Sequence, residues 1–226
     1  GRVVTRSKGQ YVEPAFSTDG ATIVYRKIAG GYSRTPLWSS ETGIYRTPAG
    51  AGSVDAAQRI TKDGFQPHFG DAASRVFWLE LGAEDKRTLV SSNLDGGERR
   101  EHVTSAAATD FAVSPDGRWL AFRERWNLFV TPFVESGKSF EIGPKASNLP
   151  VARVSKDSGD SLHWGGDSKR LYWSLGPELF ERDLKNAFAF VDGAPEKLPE
   201  VPAKGRAIGF EADASSPQGT VALVGG

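Results

Sequence analysis

Hydrophobic and polar positions alternate most clearly between Phe111 and Phe122, in the run FAVSPDGRWLAF. The run divides into a short apolar strand (111–114), a Pro115-Asp116-Gly117 turn and a second strand (118–123). Pro115 pre-sets the first turn dihedral, Asp116 bonds its own backbone, and Gly117 accepts a positive φ. In the second strand Trp119 and Ala121 alternate with Leu120 and Phe122. Both faces are therefore apolar, and the strand is predicted to be buried on both sides.

The pattern recurs. Aligned on the turn aspartate, the chain repeats it as PAFSTDGATIVY (14–25), QPHFGDAASRVFW (66–78) and LHWGGDSKRLYW (162–173). The anchors Asp19, Asp71, Asp116 and Asp167 lie 52, 45 and 51 residues apart. A second register runs in phase: Val4-Thr5, Ile60-Thr61, Val103-Thr104 and Val154-Ser155 each precede a turn aspartate by 11 to 15 residues. Two registers sharing one period predict one four-stranded sheet per repeat. The fold class is all-β, a β-propeller of four-stranded antiparallel blades, with four repeats visible as part of a larger propeller.

Taken in order, residues 1–9 read as the outer strand of a blade. Blades follow at about 10–63, 64–105, 106–157 and 158–198. In blade one the strands fall near 12–17, 22–27, 43–47 and 57–61. The loop at 30–41, with Arg34, Trp38 and Glu41, is longer than a hairpin requires and is the candidate partner contact, since interfaces enrich Trp and Arg. Later strands of blade two are placed at 75–81, 87–93 and 99–104. In blade four, Leu184, Phe188 and Val191 fall four and three apart, so 186–199 is open to a helix or to strand plus loop. Residues 199–226 read as a linker and the first strands of a following domain.

Composition narrows the class. Lys+Arg 28 balances Asp+Glu 28, which argues against nucleic acid or an anionic membrane surface as main partner. No apolar run approaches a membrane span, so no membrane insertion is expected. The absence of cysteine excludes disulfides and thiolate metal sites. With no methionine and Gly1 first, the chain is expected to be processed or cut from a longer one.

The turn motif with its flanking aromatics resembles the repeats of TolB and of prolyl-oligopeptidase propellers. Four stretches (114–133, 151–184, 208–213 and 219–226) are similar to the propeller region upstream of the barrel in large bacterial amidohydrolases. That resemblance implies a parent hydrolase acting on C–N bonds other than peptide bonds. It also implies a periplasmic or secreted location, and a divalent metal carried in a barrel that these residues do not include. The segment itself is expected to hold no catalytic residues, no metal and no cofactor. Its histidines, His68, His102 and His163, are isolated in sequence rather than paired as His-x-His. No Gly-x-Ser-x-Gly elbow appears.

One constellation stands out. His68 and His163 occupy equivalent places in the first strands of blades two and four, and Asp110 and Asp160 stand at strand entrances. First strands line a propeller channel, so these four are the candidate channel-lining residues. The plain alternative is that the imidazoles fill space and bond neighbouring backbone. The turn aspartates and Trp78, Trp119 and Trp173 are read as structural, because they repeat.

The reading is a non-catalytic propeller segment that serves as scaffold, substrate-access element or subunit contact, held to the rest of its parent chain or to other subunits. The alternative is a stand-alone TolB-like propeller that binds a protein or peptide. For the four repeats two arrangements are open. Residues 2–5 pair onto 178–184 and close the ring, or an open arc self-associates to cover its terminal faces.

Overall fold

The computed structural model describes residues 4–5, 9–29, 41–50, 56–213 and 219. The chain is an all-β propeller of four blades. Blade one holds β1 (Gln10–Phe16), β2 (Thr22–Ile28), β3 (Gly43–Pro48) and β4 (Gln58–Thr61). In blade two are β5 (Phe65–Phe69), β6 (Arg75–Leu81), β7 (Arg87–Asn93) and β8 (Arg100–Ser105). Blade three has β9 (Ala108–Val113), β10 (Trp119–Glu124) and β11 (Asn127–Pro132). Next come β12 (Phe140–Glu141), which crosses to blade two and pairs parallel with β8, and β13 (Ala152–Arg153), which returns to β11. Blade four holds β14 (Asp160–Trp164), β15 (Arg170–Leu175), β16 (Glu178–Asp183) and β17 (Arg206–Ala207).

The turn chemistry makes the hairpins alike. In blade three the Ser114 hydroxyl donates to Asp116 Oδ1 at 2.5 Å, and the same oxygen accepts Arg118 N–H at 3.1 Å. Blade one repeats this with Ser17, Asp19 and Ala21, at 2.5 and 3.0 Å. In blade four Asp167 Oδ1 accepts Lys169 N–H at 3.0 Å. Asp71 differs. It stands two residues after the paired Phe69, where the other turn aspartates stand three after Phe16, Val113 and Trp164, and its carboxyl lies against Gly117 of the next blade, where an added Cβ would come within 2.9 Å.

Each blade turns one face to its predecessor and one to its successor, because neighbours along a strand point to opposite faces. Val24 and Ile44 meet Val76, Trp78 and Val90 between blades one and two. Phe77, Leu79 and Leu89 meet Leu120, Phe122 and Phe129 between blades two and three. Ala121, Leu128 and Val130 meet Leu171, Trp173 and Phe180 between blades three and four. Trp78 and Trp173 are buried, and Trp119 stacks on Phe188 at 5.3 Å, as the structural reading of these tryptophans requires.

The end of blade four departs from expectation. Residues 186–199 form neither a helix of several turns nor a strand: a 3-10 turn (Leu184–Asn186) leads into irregular backbone. Arg182 ties both ends of this segment to β16, its guanidinium donating to the carbonyls of Asn186 at one end and of Pro199 and Glu200 at the other. Residues 206–207, read as belonging beyond the propeller, pair instead with Glu178 and Leu179 as the outermost strand of blade four. At Glu178 and Leu179 the edge considered for residues 2–5 is thus taken by this strand. Residues 1–3 and 220–226 lie outside the described residues.

Candidate functional site: the channel mouth

The first strands enter the channel through a repeated irregularity. Pairing with the second strand skips between Val12 and Ala15, between Phe65 and His68, and between Asp160 and His163. The bulged residues Glu13, Gln66 and Ser161 hold φ of 55°, 55° and 54°. This left-handed backbone is uncommon outside glycine. In blade three the skip falls between Ala108 and Asp110. Bulges of this kind re-aim side chains, and here they aim polar groups at the axis.

The result is a belt that runs from blade to blade. Arg26 Nη1 donates to Glu13 Oε1 at 2.9 Å, and Glu13 Oε2 accepts Gln66 N–H at 2.6 Å. Gln66 Nε2 donates to Asp110 Oδ1. Asp110 Oδ2 meets Arg123 Nε, and Thr109 Oγ1 joins both, at 3.2 Å from the carboxylate and 3.0 Å from Nε. Arg123 Nη1 then reaches Asp160 Oδ1 on blade four. The mouth these residues line measures about 470 Å³. Three carboxylates face two guanidiniums there, each acid satisfied by a donor on its own or the adjacent blade.

Of the candidate channel-lining residues, Asp110 and Asp160 are brought together through Arg123, and His68 lines the same mouth. Its ring is saturated: Nε2 accepts Val113 N–H at 3.2 Å, which leaves the proton on Nδ1 to be donated to the Gln66 carbonyl at 3.0 Å. Burial lowers its pKa, against the pull of the Gln66 carbonyl, so the imidazole is neutral and structural. His163 does not line the mouth. It stands exposed on the outward face of blade four, bonded through Nδ1 to the Ser161 carbonyl at 2.9 Å and stacked on Tyr172. Of the candidate partner contacts, Arg34 and Trp38 lie outside the described residues. Glu41 is exposed with φ 56°, and its carbonyl accepts the Tyr45 hydroxyl at 2.6 Å.

The sequence reading missed Glu13 and Gln66. Both stand five or six residues before a turn aspartate, as Asp110 and Ser161 do, and both precede a proline; that shared offset was the available signal. It also treated His102 as isolated. Ser91 Oγ lies 2.7 Å from His102 Nε2, and Arg75 Nη1 donates to Ser91 Oγ at 2.9 Å. β7 and β8 bring the pair together across eleven residues, a juxtaposition spacing alone does not reveal. Burial lowers the His102 pKa to about 4, so the ring is a neutral acceptor. Ser91 is fully buried, and no substrate reaches a hydroxyl so placed. The pair is a core hydrogen bond, not a nucleophile with its base.

Metal-ligating groups do not gather. Among the described residues no three His, Asp or Glu side chains could hold an ion together. The acids at the mouth are neutralised by guanidiniums, so the divalent ion implied for the parent's barrel has no fit here. Among the described residues, no helix is long and apolar enough to cross a membrane.

Comparison with known proteins agrees on the fold. No family model matches the chain. Among curated proteins, a probable dipeptidyl-peptidase 5 of Aspergillus flavus is 28% identical over 109 residues, covering 42% of this chain and 15% of that protein. The dipeptidyl-peptidase 5 of Aspergillus oryzae matches over the same extent. Among solved structures, a putative TolB from Agrobacterium tumefaciens superposes with a TM-score of 0.55 at 14% identity, covering 81% of this chain and 61% of its own. An oligogalacturonate lyase in complex with manganese gives 0.50 at 15% identity, covering 83% and 55%. These structures share the propeller fold with this chain. The chain spans 15% of the length of the curated relatives.

Proposed function

We propose that this chain is a non-catalytic propeller segment of a larger hydrolase, which holds its parent's architecture and shapes substrate access at the channel mouth. The observation that carries the reading is the belt. Glu13, Asp110 and Asp160 are each held by Arg26 or Arg123, and the chain of bonds passes through all four blades. Groups held this way fix blades in place; a general acid or base needs a proton site open to substrate. The parent we infer is a metal-dependent amidohydrolase of the periplasm or cell exterior, on the resemblance of residues 114–133 and 151–184.

A peptidase parent is the second reading, favoured by the match to the Aspergillus dipeptidyl-peptidases. The coding sequence flanking these residues separates the two. A His-x-His pair opening a barrel supports the amidohydrolase; a Gly-x-Ser-x-Gly elbow supports the peptidase. The pure chain is expected to turn over neither amide nor aminoacyl-arylamide substrates, with or without added divalent metal. Chelator-sensitive or serine-inhibitor-sensitive turnover by the pure chain would overturn the non-catalytic reading itself.

A further inference from the structure

A second cleft, of about 500 Å³, opens between blades two and three and shares no residue with the mouth. Its volume is within the range of small-ligand sites, roughly 300–1,000 Å³. One wall is the β10–β11 hairpin at 124–129; the other is β12 with the turn after it, 141–146. Both walls are held from behind. Ile142 N–H donates to Thr104 O at 2.9 Å, and Ala146 N–H closes its turn on Gly143 O at 3.0 Å. On the hairpin, Gly159 N–H, just ahead of β14, donates to Trp126 O at 3.0 Å.

The floor is apolar, formed by Phe129 and Ile142 from the core between the two blades. Around it the charges lack partners. Arg125 and Lys145 are exposed, and neither forms an ion pair among the described residues. Glu124 is half-buried, and burial raises its pKa against the pull of Arg125. Its one hydrogen bond among the described residues is long, from the Ser105 hydroxyl to Oε2 at 3.5 Å, so Oε1 is left without a donor. The other polar groups of the rim are committed. Asn127 donates to Arg125 O at 3.3 Å and accepts from Arg153 Nη2 at 2.6 Å, and Glu141 lies 3.9 Å from Lys86. Arg125 is held here against local preference. It and Trp126 have φ of 46° and 70° in a two-residue turn, where asparagine and glycine are favoured. Such backbone clusters at ligand clamps.

We propose that this cleft binds the carboxyl end of a peptide whose last residue is apolar. The terminal carboxylate meets Arg125 and Lys145 in charge-assisted bonds. The last amide N–H donates to Glu124 Oε1, and the side chain lies on Phe129 and Ile142. Simpler ligands fit less well. An inorganic anion leaves Glu124 without a donor and the floor bare, and a cation meets two positive groups. A carboxylate beside an N–H donor and an apolar side chain uses all three features. The site stands apart from the scaffold reading and holds for either parent.

Titration of the isotope-labelled chain with acetyl-alanyl-alanyl-leucine, followed by its amide resonances, tests this. Shifts are expected at 124–129 and 141–146, and not at the mouth residues 66–68 and 110–112. The same peptide as its carboxamide, with its last nitrogen methylated, or ending in glycine should in each case bind roughly tenfold or more weakly, a loss of about 1.4 kcal/mol. Lys145→Gln and Arg125→Gly should each weaken binding of the free acid to a similar degree and leave binding of the carboxamide unchanged. Glycine suits the left-handed backbone at 125, so a urea midpoint at or above the parent chain's establishes that this variant folds; Lys145→Gln, at an exposed position, is the second check. Equal binding of acid and carboxamide, shifts confined to the mouth, either variant binding the acid like the parent chain, or no shift at millimolar peptide would each overturn the proposal.

Discussion

Acidification tests the Ser91–His102 pair directly. In the folded chain burial lowers the His102 pKa from 6.5 to about 4; Glu135 pulls the other way, and Arg75 and Arg100 add to the fall. In the unfolded chain the ring titrates near its ordinary value. Between the two values the unfolded state binds a proton that the folded state refuses. Stability therefore rises with pH through this window and is lost as pH falls. At about 1.36 kcal/mol per pH unit the whole interval amounts to about 3 kcal/mol, and about 2 kcal/mol of it lies between about pH 7.5 and about pH 5. That range sits above the titration of exposed carboxylates. His68, also lowered by burial, adds a loss of the same sign. The assay is urea unfolding at fixed ionic strength across that range, on the parent chain and on His102→Gln, whose amide accepts the Ser91 hydroxyl but does not titrate. The variant is expected to start less stable and to lose about 2 kcal/mol less on acidification. If parent and variant lose stability in parallel, His102 is not the buried neutral group described here.

Arg123→Ala removes the cation between Asp110 and Asp160 and leaves two carboxylates of adjacent blades facing each other; a loss of about 1–3 kcal/mol is expected in urea midpoint, with Arg123→Lys restoring only part of it because a point charge cannot span both acids. Gly159→Ala would set a Cβ at 2.6 Å from Leu128 Cδ1 and 2.7 Å from Trp173 Cδ1, so a loss of about 1–3 kcal/mol at unchanged m-value is expected. Glycine at the three left-handed positions should divide by sign. Ser161→Gly, whose side chain takes no part in the belt, is expected to stabilise by a few tenths of a kcal/mol or more, whereas Glu13→Gly and Gln66→Gly should destabilise by about 1 kcal/mol or more through the lost ties; a uniform sign in thermal unfolding would contradict the belt.

How much of this was legible follows from which interactions are local. The hairpins were, because Ser114, Asp116 and Gly117 close their turn within four residues and the aromatic alternation after it has a period of two. The strands of blade two were predicted at 75–81 and 87–93, and they fall there. The outermost strands were harder. β12 and β17 are two residues long, and their partners on β8 and β16 are chosen by packing across the sheet. Residues 186–199 carried helical spacing, but their two ends are held to Arg182 on β16, a tie that spacing within the segment does not show. At the mouth, the acids Asp110 and Asp160 were visible as strand-entrance residues, yet nothing local says that Arg123 stands between them. The pairing of His102 with Ser91 depends on the register of β7 and β8 and was invisible for the same reason.

The two equivalent histidines show where chemistry enters a repeat fold. His68 and His163 share a strand position, a left-handed neighbour, a carbonyl partner and an aromatic to stack on, so local structure treats them alike. What separates them is the next blade. Val113 N–H saturates His68 and burial keeps its ring neutral, while the same nitrogen of His163 is left to whatever covers blade four. In a fold where local geometry repeats, the residue type at a site states what it is able to bond, and the neighbouring blade decides whether that capacity is already satisfied. Function is therefore to be sought at positions whose repeat equivalents are covered and which themselves are not.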